Sequence, residues 1–315
     1  MNPVTKQLLV TPSPHLKAAD TTQRIMFQVL VGLMPALVAS VVLFGYRSLI
    51  LVAVSIASCV LSEYLFNLIT RRKQTIGDLS AVVTGTLLAF NVPSTLPWWM
   101  VAVGGFAAIF IAKQLFGGIG QNFANPAIVG RVVMILSFSG PMSSWVLPAM
   151  AGGVDGVTTA TPLALLKSGE TAGLPSVGEM LLGLRGGCLG ETCAIALILG
   201  GLFLIWRKVI TWTIPVFFLG TVAVMAVIVG QSPIYYLLSG GVLLGAFFMA
   251  TDYSTSPVTE KGKAIFAIGC GIITVMIRAY GSYPEGVSFA ILIMNILAPH
   301  IDTLTRTKPI GGVRA

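Results

Sequence analysis

Residues 25–44 read IMFQVLVGLMPALVASVVLF, twenty residues without a formal charge. A run of this length is what a helix needs to cross a hydrocarbon layer of about 30 Å, for which ~20 apolar residues suffice. The preceding residues are polar (Lys6, His15, Lys17, Asp20) and lack the short apolar block and small-residue cleavage site of a secretion signal. The run is therefore expected to stay in place as a first transmembrane helix. The rest of the chain has the same character. Of 315 residues 55% are hydrophobic and 10% charged, with a mean hydropathy of +0.90, against roughly 25% charged in an average soluble domain. A soluble core cannot hide that much apolar surface, so the sequence specifies an integral membrane protein.

Nine further apolar segments follow, at 48–69, 78–90, 98–115, 124–138, 191–206, 211–229, 235–250, 263–279 and 287–300. The fold class expected is an all-α polytopic membrane protein of about ten helices, five on either side of a long polar stretch at 139–190. An odd number per half gives the halves opposite orientation, the inverted-repeat plan of many transporters. The expected organisation is an N-terminal segment 1–24, a first repeat 25–138, the loop 139–190, a second repeat 191–301 and a tail 302–315. The third segment spans only about 20 Å at 1.5 Å per residue and runs into Phe90-Asn91-Val92-Pro93-Ser94-Thr95. The eighth is followed by Thr251-Asp252-Tyr253-Ser254-Thr255-Ser256-Pro257. Both read as short or broken helices whose free backbone lines a protein-buried cavity. The Gly-Gly pairs, Gly240-Gly241 among them, read as helix-packing positions.

With the N-terminus inside, 14 of the 19 Lys and Arg fall on the cytoplasmic side, which places both termini in the cytoplasm and 139–190 outside it. Trp98, Trp99, Trp206, Trp212, Tyr235 and Tyr236 sit at segment ends, where amphipathic rings meet lipid headgroups. The net charge of +8 follows from this loop bias. No basic patch interleaved with aromatics and no zinc-finger spacing points to nucleic acid. Cys59 and Cys270 lie in apolar segments as small hydrophobes. Cys188 and Cys193 are compatible with a disulfide, a pair of ligands or neither. The four cysteines do not form an iron–sulfur ligand run, and no metal site is expected.

The loop carries Asp155-Gly-Val-Thr158-Thr159-Ala160-Thr161-Pro162. Read locally, Thr161 is an N-cap and Pro162 a first helical residue ahead of an apolar run. The pattern D-x-x-[ST]-x-A-T also resembles the signal at which a bacterial flavin transferase joins FMN to the last threonine. Asp155, Thr158, Thr159, Ala160 and the acceptor Thr161 fill it, with Thr159 where many such motifs have glycine. A phosphodiester there would lie at a helix start, whose free N–H groups favour anions.

The resemblance extends to Ser13-Pro14-His15, to residues 117–127 (GGIGQNFANPA), to Gly190-Glu191-Thr192, to Ala250-Thr251-Asp252 with Ser256-Pro257, and to Tyr283-Pro284-Glu285-Gly286-Val287. In this order they resemble the D subunits of the Rnf complex, the ion-translocating ferredoxin:NAD oxidoreductase of bacteria. They are also similar to the B subunits of the sodium-pumping NADH:quinone reductase, which have a longer N-terminal extension. The resemblance implies a bacterial inner-membrane electron-transfer subunit with covalent FMN on Thr161 and no side-chain catalysis of its own. Redox would be coupled to Na⁺ or H⁺ movement. Its partners would be flavin- and iron–sulfur-carrying sibling subunits, a flavin transferase and lipid. A second, non-covalent flavin such as riboflavin is also implied.

Ionisable residues in or beside the apolar segments are Glu63, Asp78, Lys113, Arg131, Glu191, Asp252 and Arg278; such charges serve a pathway, a ligand or a partner. Asp78 and Asp252 flank the two short segments, and with Asn125 they are the candidates for ion or second-flavin contacts. The competing readings are a flavin-free channel or secondary transporter on the same inverted repeat, and a purely structural anchor for redox partners.

Overall fold

The structure, a computed structural model, describes residues 21–148, 159–169, 173–281 and 285–306. Asp155 and Thr158 lie outside the described residues, as do the first twenty residues, the last nine, and Tyr283-Pro284.

Every regular element described is helical. The first two apolar segments form α1 (Thr22–Phe44) and α2 (Tyr46–Ile69), each long enough to cross a membrane. α1 starts where Thr21 Oγ1 accepts the Arg24 N–H and ends at Gly45, whose positive φ turns the chain into α2. The third segment is short, as expected: a 3₁₀ turn (Ile76–Asp78), then Leu79 in the left-handed region, then α3 (Ser80–Phe90). α4 (Trp98–Ala107) continues as a π-helical stretch over Ala108–Gln114, and α5 (Pro126–Ser137) is capped by Asn125. The turn α6 (Ser139–Met142) leads to the polar stretch, which holds α7 (Pro162–Ser168) and α8 (Val177–Leu182).

The second half runs α9 (Ala194–Trp206), α10 (Thr213–Ile228), α11 (Pro233–Leu238), α12 (Val242–Leu244) with a π-helical continuation over Gly245–Met249, α13 (Glu260–Tyr280) and α14 (Val287–Thr305). Of the described helices, α1, α2, α13 and α14 have the length and hydropathy of a membrane span, and the other apolar helices are shorter. The eighth segment, 235–250, expected as a short or broken helix, is broken within the segment itself, at Ser239-Gly240-Gly241. Both glycines have positive φ, +62° and +70°, so a right-handed helix cannot pass through them. They break the helix, and at Gly240 the missing side chain also leaves room for Leu163 and Arg278.

The short helices are central and the long ones peripheral. All of α3 except Val82 is buried, as is the π stretch Gly245–Met249. The long helices turn Phe27, Val42, Leu68 and Met276 outward, a distribution suited to lipid on the outside. α1 packs along α9 and α5 along α14, so corresponding helices of the two halves meet. At the first of these crossings a Cβ on Gly200 would lie 2.0 Å from the Gly32 carbonyl oxygen; only glycine allows the backbones so close. Each half also carries a short buried helix entered through left-handed backbone, at Leu79 before α3 and at Gly240-Gly241 before α12.

Candidate functional site

Two cavities lie at opposite ends of α5. Its N-cap Asn125 lines the first; Arg131 and Ile135, further along, line the second. Twelve residues separate the helix ends, about 18 Å at 1.5 Å each.

The first cavity, about 80 Å³, sits where α1, α3 and α5 begin. Asn125 caps α5 by accepting the Ala127 N–H at 3.0 Å and donates to the Met249 carbonyl at 3.1 Å. Asp252 lines the same space and accepts from the Ser254 and Thr255 hydroxyls at 3.0 and 3.1 Å. Burial raises the Asp252 carboxyl above its ordinary value, against the pull of those hydroxyls. Asp78 reaches the cavity through Ser80, whose backbone N–H and hydroxyl it accepts. The three residues singled out in sequence thus converge, although no contact joins the two aspartates. The space is less than half the volume of the second cavity. Oxygen atoms of Asn125, Asp252 and Ser254 stand in a lining otherwise rich in apolar residues such as Met26, Leu87 and Phe247, and such a group of oxygens suits water or a cation. Beside it Lys113 pairs with Glu63, both fully inside the protein.

The second cavity, about 210 Å³, contains the threonine. Thr161 Oγ1 accepts the Ala164 N–H at 3.2 Å and Pro162 opens α7, the local arrangement expected. Thr161 is 5% exposed, Thr159 half-buried and Ala160 exposed at the rim. α7 has only seven residues, too few for its terminus to be the main attraction for an anion. The charge comes from elsewhere. Arg131, 2% exposed, donates to Asn91 Oδ1 at 2.7 Å and Ser288 Oγ at 3.0 Å and pairs with Glu285. Behind it Arg185 donates to the Glu191 carbonyl at 2.9 Å, and Arg278 to the carbonyls of Tyr236 and Ser239 at 2.6 and 2.8 Å. Leu163 of α7 rests against Gly240 in the break of the eighth segment. The opposite wall is apolar: Ile135, Met142, Trp145 and Phe289.

Several buried polar atoms here lack a partner among the described residues: Arg131 Nε, Thr159 Oγ1, Glu191 Oε2, Ser239 Oγ and Arg278 Nε. A polar floor with unmet hydrogen bonds, facing an apolar wall, fits an amphiphilic group with an anionic end. Cys188, Glu191 and Glu285 come together closely enough to hold a metal ion. Burial and the two carboxylates hold the Cys188 thiol well above its ordinary value, and Arg131 pairs with the Glu285 carboxylate of this group. All four cysteines are free thiols.

Sequence reasoning flags Arg131, Glu191 and Arg278 singly and misses their assembly with Arg185 and Glu285. Glu285 stands out in sequence only as part of Tyr283-Pro284-Glu285-Gly286-Val287. Trp145 carries no signal beyond its place in the polar stretch.

Residues 9–311 match the family described as "NQR2, RnfD, RnfE family". The chain is 50% identical over 306 residues to the D subunit of the Na⁺-translocating ferredoxin:NAD⁺ oxidoreductase complex of Acetobacterium woodii, covering 96% of this chain and 95% of the relative. It is 42% identical to the D subunit of the proton-translocating ferredoxin:NAD⁺ oxidoreductase complex of Clostridium ljungdahlii, over 97% and 96% of the two chains. It is also 37% identical to the D subunit of the ion-translocating oxidoreductase complex of Cronobacter sakazakii, over 96% and 98%. Its polytopic helical body, with charge clusters enclosed at both ends of α5, accords with a membrane subunit, and the chain belongs to the NQR2, RnfD, RnfE family as a D-type subunit of an ion-translocating ferredoxin:NAD⁺ oxidoreductase complex.

Proposed function

We propose that this subunit carries FMN in phosphoester linkage on Thr161 and relays electrons between flavin and iron–sulfur carriers of its sibling subunits. Redox is coupled to Na⁺ or H⁺ transfer through the complex. The observation that carries this reading is the second cavity: the acceptor threonine in its wall, a buried guanidinium whose Nε is unpaired among the described residues, and an apolar face opposite. The flavin supplies one- and two-electron chemistry; the chain supplies position, charge and exclusion of water. The polar stretch lies outside the cytoplasmic membrane with both termini inside, as the charge distribution requires, and a flavin transferase matures it there. The smaller cavity, with Asn125, Asp252 and the Asp78–Ser80 pair, is read as a cation or water site.

The test is peptide mass spectrometry of the protein from cells with an active flavin transferase. A mass increase of FMN less water on the peptide spanning residues 155–167, absent in Thr161→Ala, is the expected result. Unmodified peptide from such cells would return the chain to the flavin-free transporter reading. That reading predicts solute uptake by the chain alone in liposomes.

A further inference from the structure

Three guanidiniums, Arg131, Arg185 and Arg278, act on two carboxylates, Glu191 and Glu285, in one buried cluster. Among the described residues the guanidiniums of this cluster outnumber its carboxylates by one, and a charge left unpaired inside a membrane protein is costly and serves a ligand. The three cations are not equivalent. The Nη atoms of Arg278 are committed to carbonyls of the break at 236–240, and Arg185 to the carbonyls of Glu191 and Thr192. These two brace the backbone. Arg131 alone of the three lines the cavity with Thr161; its Nη atoms are held by side chains (Asn91, Ser288, Cys188 and Glu285) and not by backbone, and its Nε, like that of Arg278, has no partner among the described residues.

We propose that this cluster is an anion seat for the phosphate of the group attached at Thr161, with Arg131 the contacting cation and Glu285 its counter-ion until the phosphate arrives. The inference rests on the flavin reading and deepens it. A phosphodiester carries one negative charge, which matches the excess of one guanidinium over the carboxylates among the described residues. A guanidinium is the side chain suited to phosphate oxygens, because its planar fork presents several N–H donors at once. Glu285 sits on the same guanidinium, so phosphate and carboxylate compete for Arg131. Removing the carboxylate therefore strengthens the seat, whereas removing the guanidinium abolishes it.

The experiment uses the full-length protein purified from a host lacking the transferase, so that Thr161 is unmodified. Phosphorus-radiolabelled FMN is titrated in the presence of saturating riboflavin, which fills any site that reads the ring alone. The wild type is expected to retain FMN binding that inorganic phosphate displaces. Arg131→Gln should weaken that component roughly tenfold or more, the loss of one charged hydrogen-bonding partner. Arg131→Lys, which keeps the charge but not the fork, should lose less than Arg131→Gln, and Glu285→Gln should tighten it. Phosphate-displaceable binding unchanged in Arg131→Gln, or weakened in Glu285→Gln, would overturn the seat. If Arg131→Gln fails to fold, the opposite-signed Glu285→Gln result decides alone. Mass spectrometry showing Thr161 unmodified would defeat the flavin reading while leaving a phosphate-selective seat in place. A modified Thr161 without Arg131-dependent phosphate binding would defeat only the seat.

Discussion

Lys113 Nζ lies 2.7 Å from Glu63 Oε2, and the two side chains are 3% and 0% exposed. Lys113 also donates to Ser80 Oγ at 2.6 Å, and Thr75 donates to the other Glu63 oxygen. The pair thus pins the π-helical end of α4 to α2 and to the start of α3. Breaking such a pair strands a buried charge, at a cost of about 3–5 kcal/mol, whereas replacing both partners by apolar groups is often neutral. Lys113→Met is expected to lower the unfolding stability of the detergent-solubilised protein by that order. Adding Glu63→Leu should recover more than half of the loss. A double-mutant cycle on thermal unfolding measures this; a double variant as unstable as the single would show that the pairing is not the stabilising element.

That pair also marks where sequence reading stops. Glu63 and Lys113 are each visible as charges in apolar segments, but fifty residues separate them and no periodicity assigns partners across such a distance. α1 was legible because twenty uncharged residues suffice to specify a span, and the Thr161-Pro162 helix start because capping is local. The break at Gly240-Gly241 was hidden because the surrounding residues stay apolar. Two adjacent glycines in a membrane segment suit close packing as well as left-handed backbone, and only the φ angles decide. The second cavity was half legible: its threonine announced itself through a linear pattern, while its charge comes from four separate stretches of chain.

Gly200 and Gly32 test the crossing of α1 and α9. A Cβ on Gly200 would meet the Gly32 carbonyl oxygen at 2.0 Å, whereas one on Gly220 meets nothing within 4 Å. Gly200→Ala is therefore expected to destabilise by roughly 1–3 kcal/mol through overpacking. Gly220→Ala should be neutral or slightly stabilising, because alanine is the better helix former. Thermal melts of the two variants side by side check this. Equal behaviour would mean that the helices cross more loosely.

Thr161 can accept a flavin only when a transferase reaches its hydroxyl, yet it is 5% exposed and occupied in capping α7. Leu163, 5% exposed and packed on Gly240, is the main anchor of that helix start. On the proposed flavin reading, modification precedes the docking of α7 or waits for it to open. Leu163→Ala, which loses a buried anchor worth about 2–5 kcal/mol, is expected to speed flavin attachment to the purified, unmodified protein several-fold. Thr161→Ser should keep both the cap and the acceptor. A time course of covalent fluorescence after denaturing electrophoresis reads the rate. Identical rates in Leu163→Ala and wild type would show that docking does not gate the reaction.

Glu285 makes the second cavity sensitive to pH. Burial and the Glu191 carboxylate push its carboxyl from 4.5 up to about 7, against the pull of Arg131, Arg278 and Arg185. An acid whose pKa is raised on folding binds more protons in the native state between the two values. Its contribution to stability is therefore complete below about 4.5 and is lost as the pH rises through about 7. The slope from one proton cannot exceed about 1.4 kcal/mol per pH unit. The wild type should lose unfolding stability between roughly pH 5 and 7 relative to Glu285→Gln, which has no proton to release, so the two curves diverge as pH rises. The opposite divergence would mean that the Arg131 ion pair outweighs burial and holds Glu285 ionised throughout. Phosphate binding follows the same sign: as the pH falls and Glu285 takes up its proton, Arg131 loses its competitor and the anion should bind more tightly.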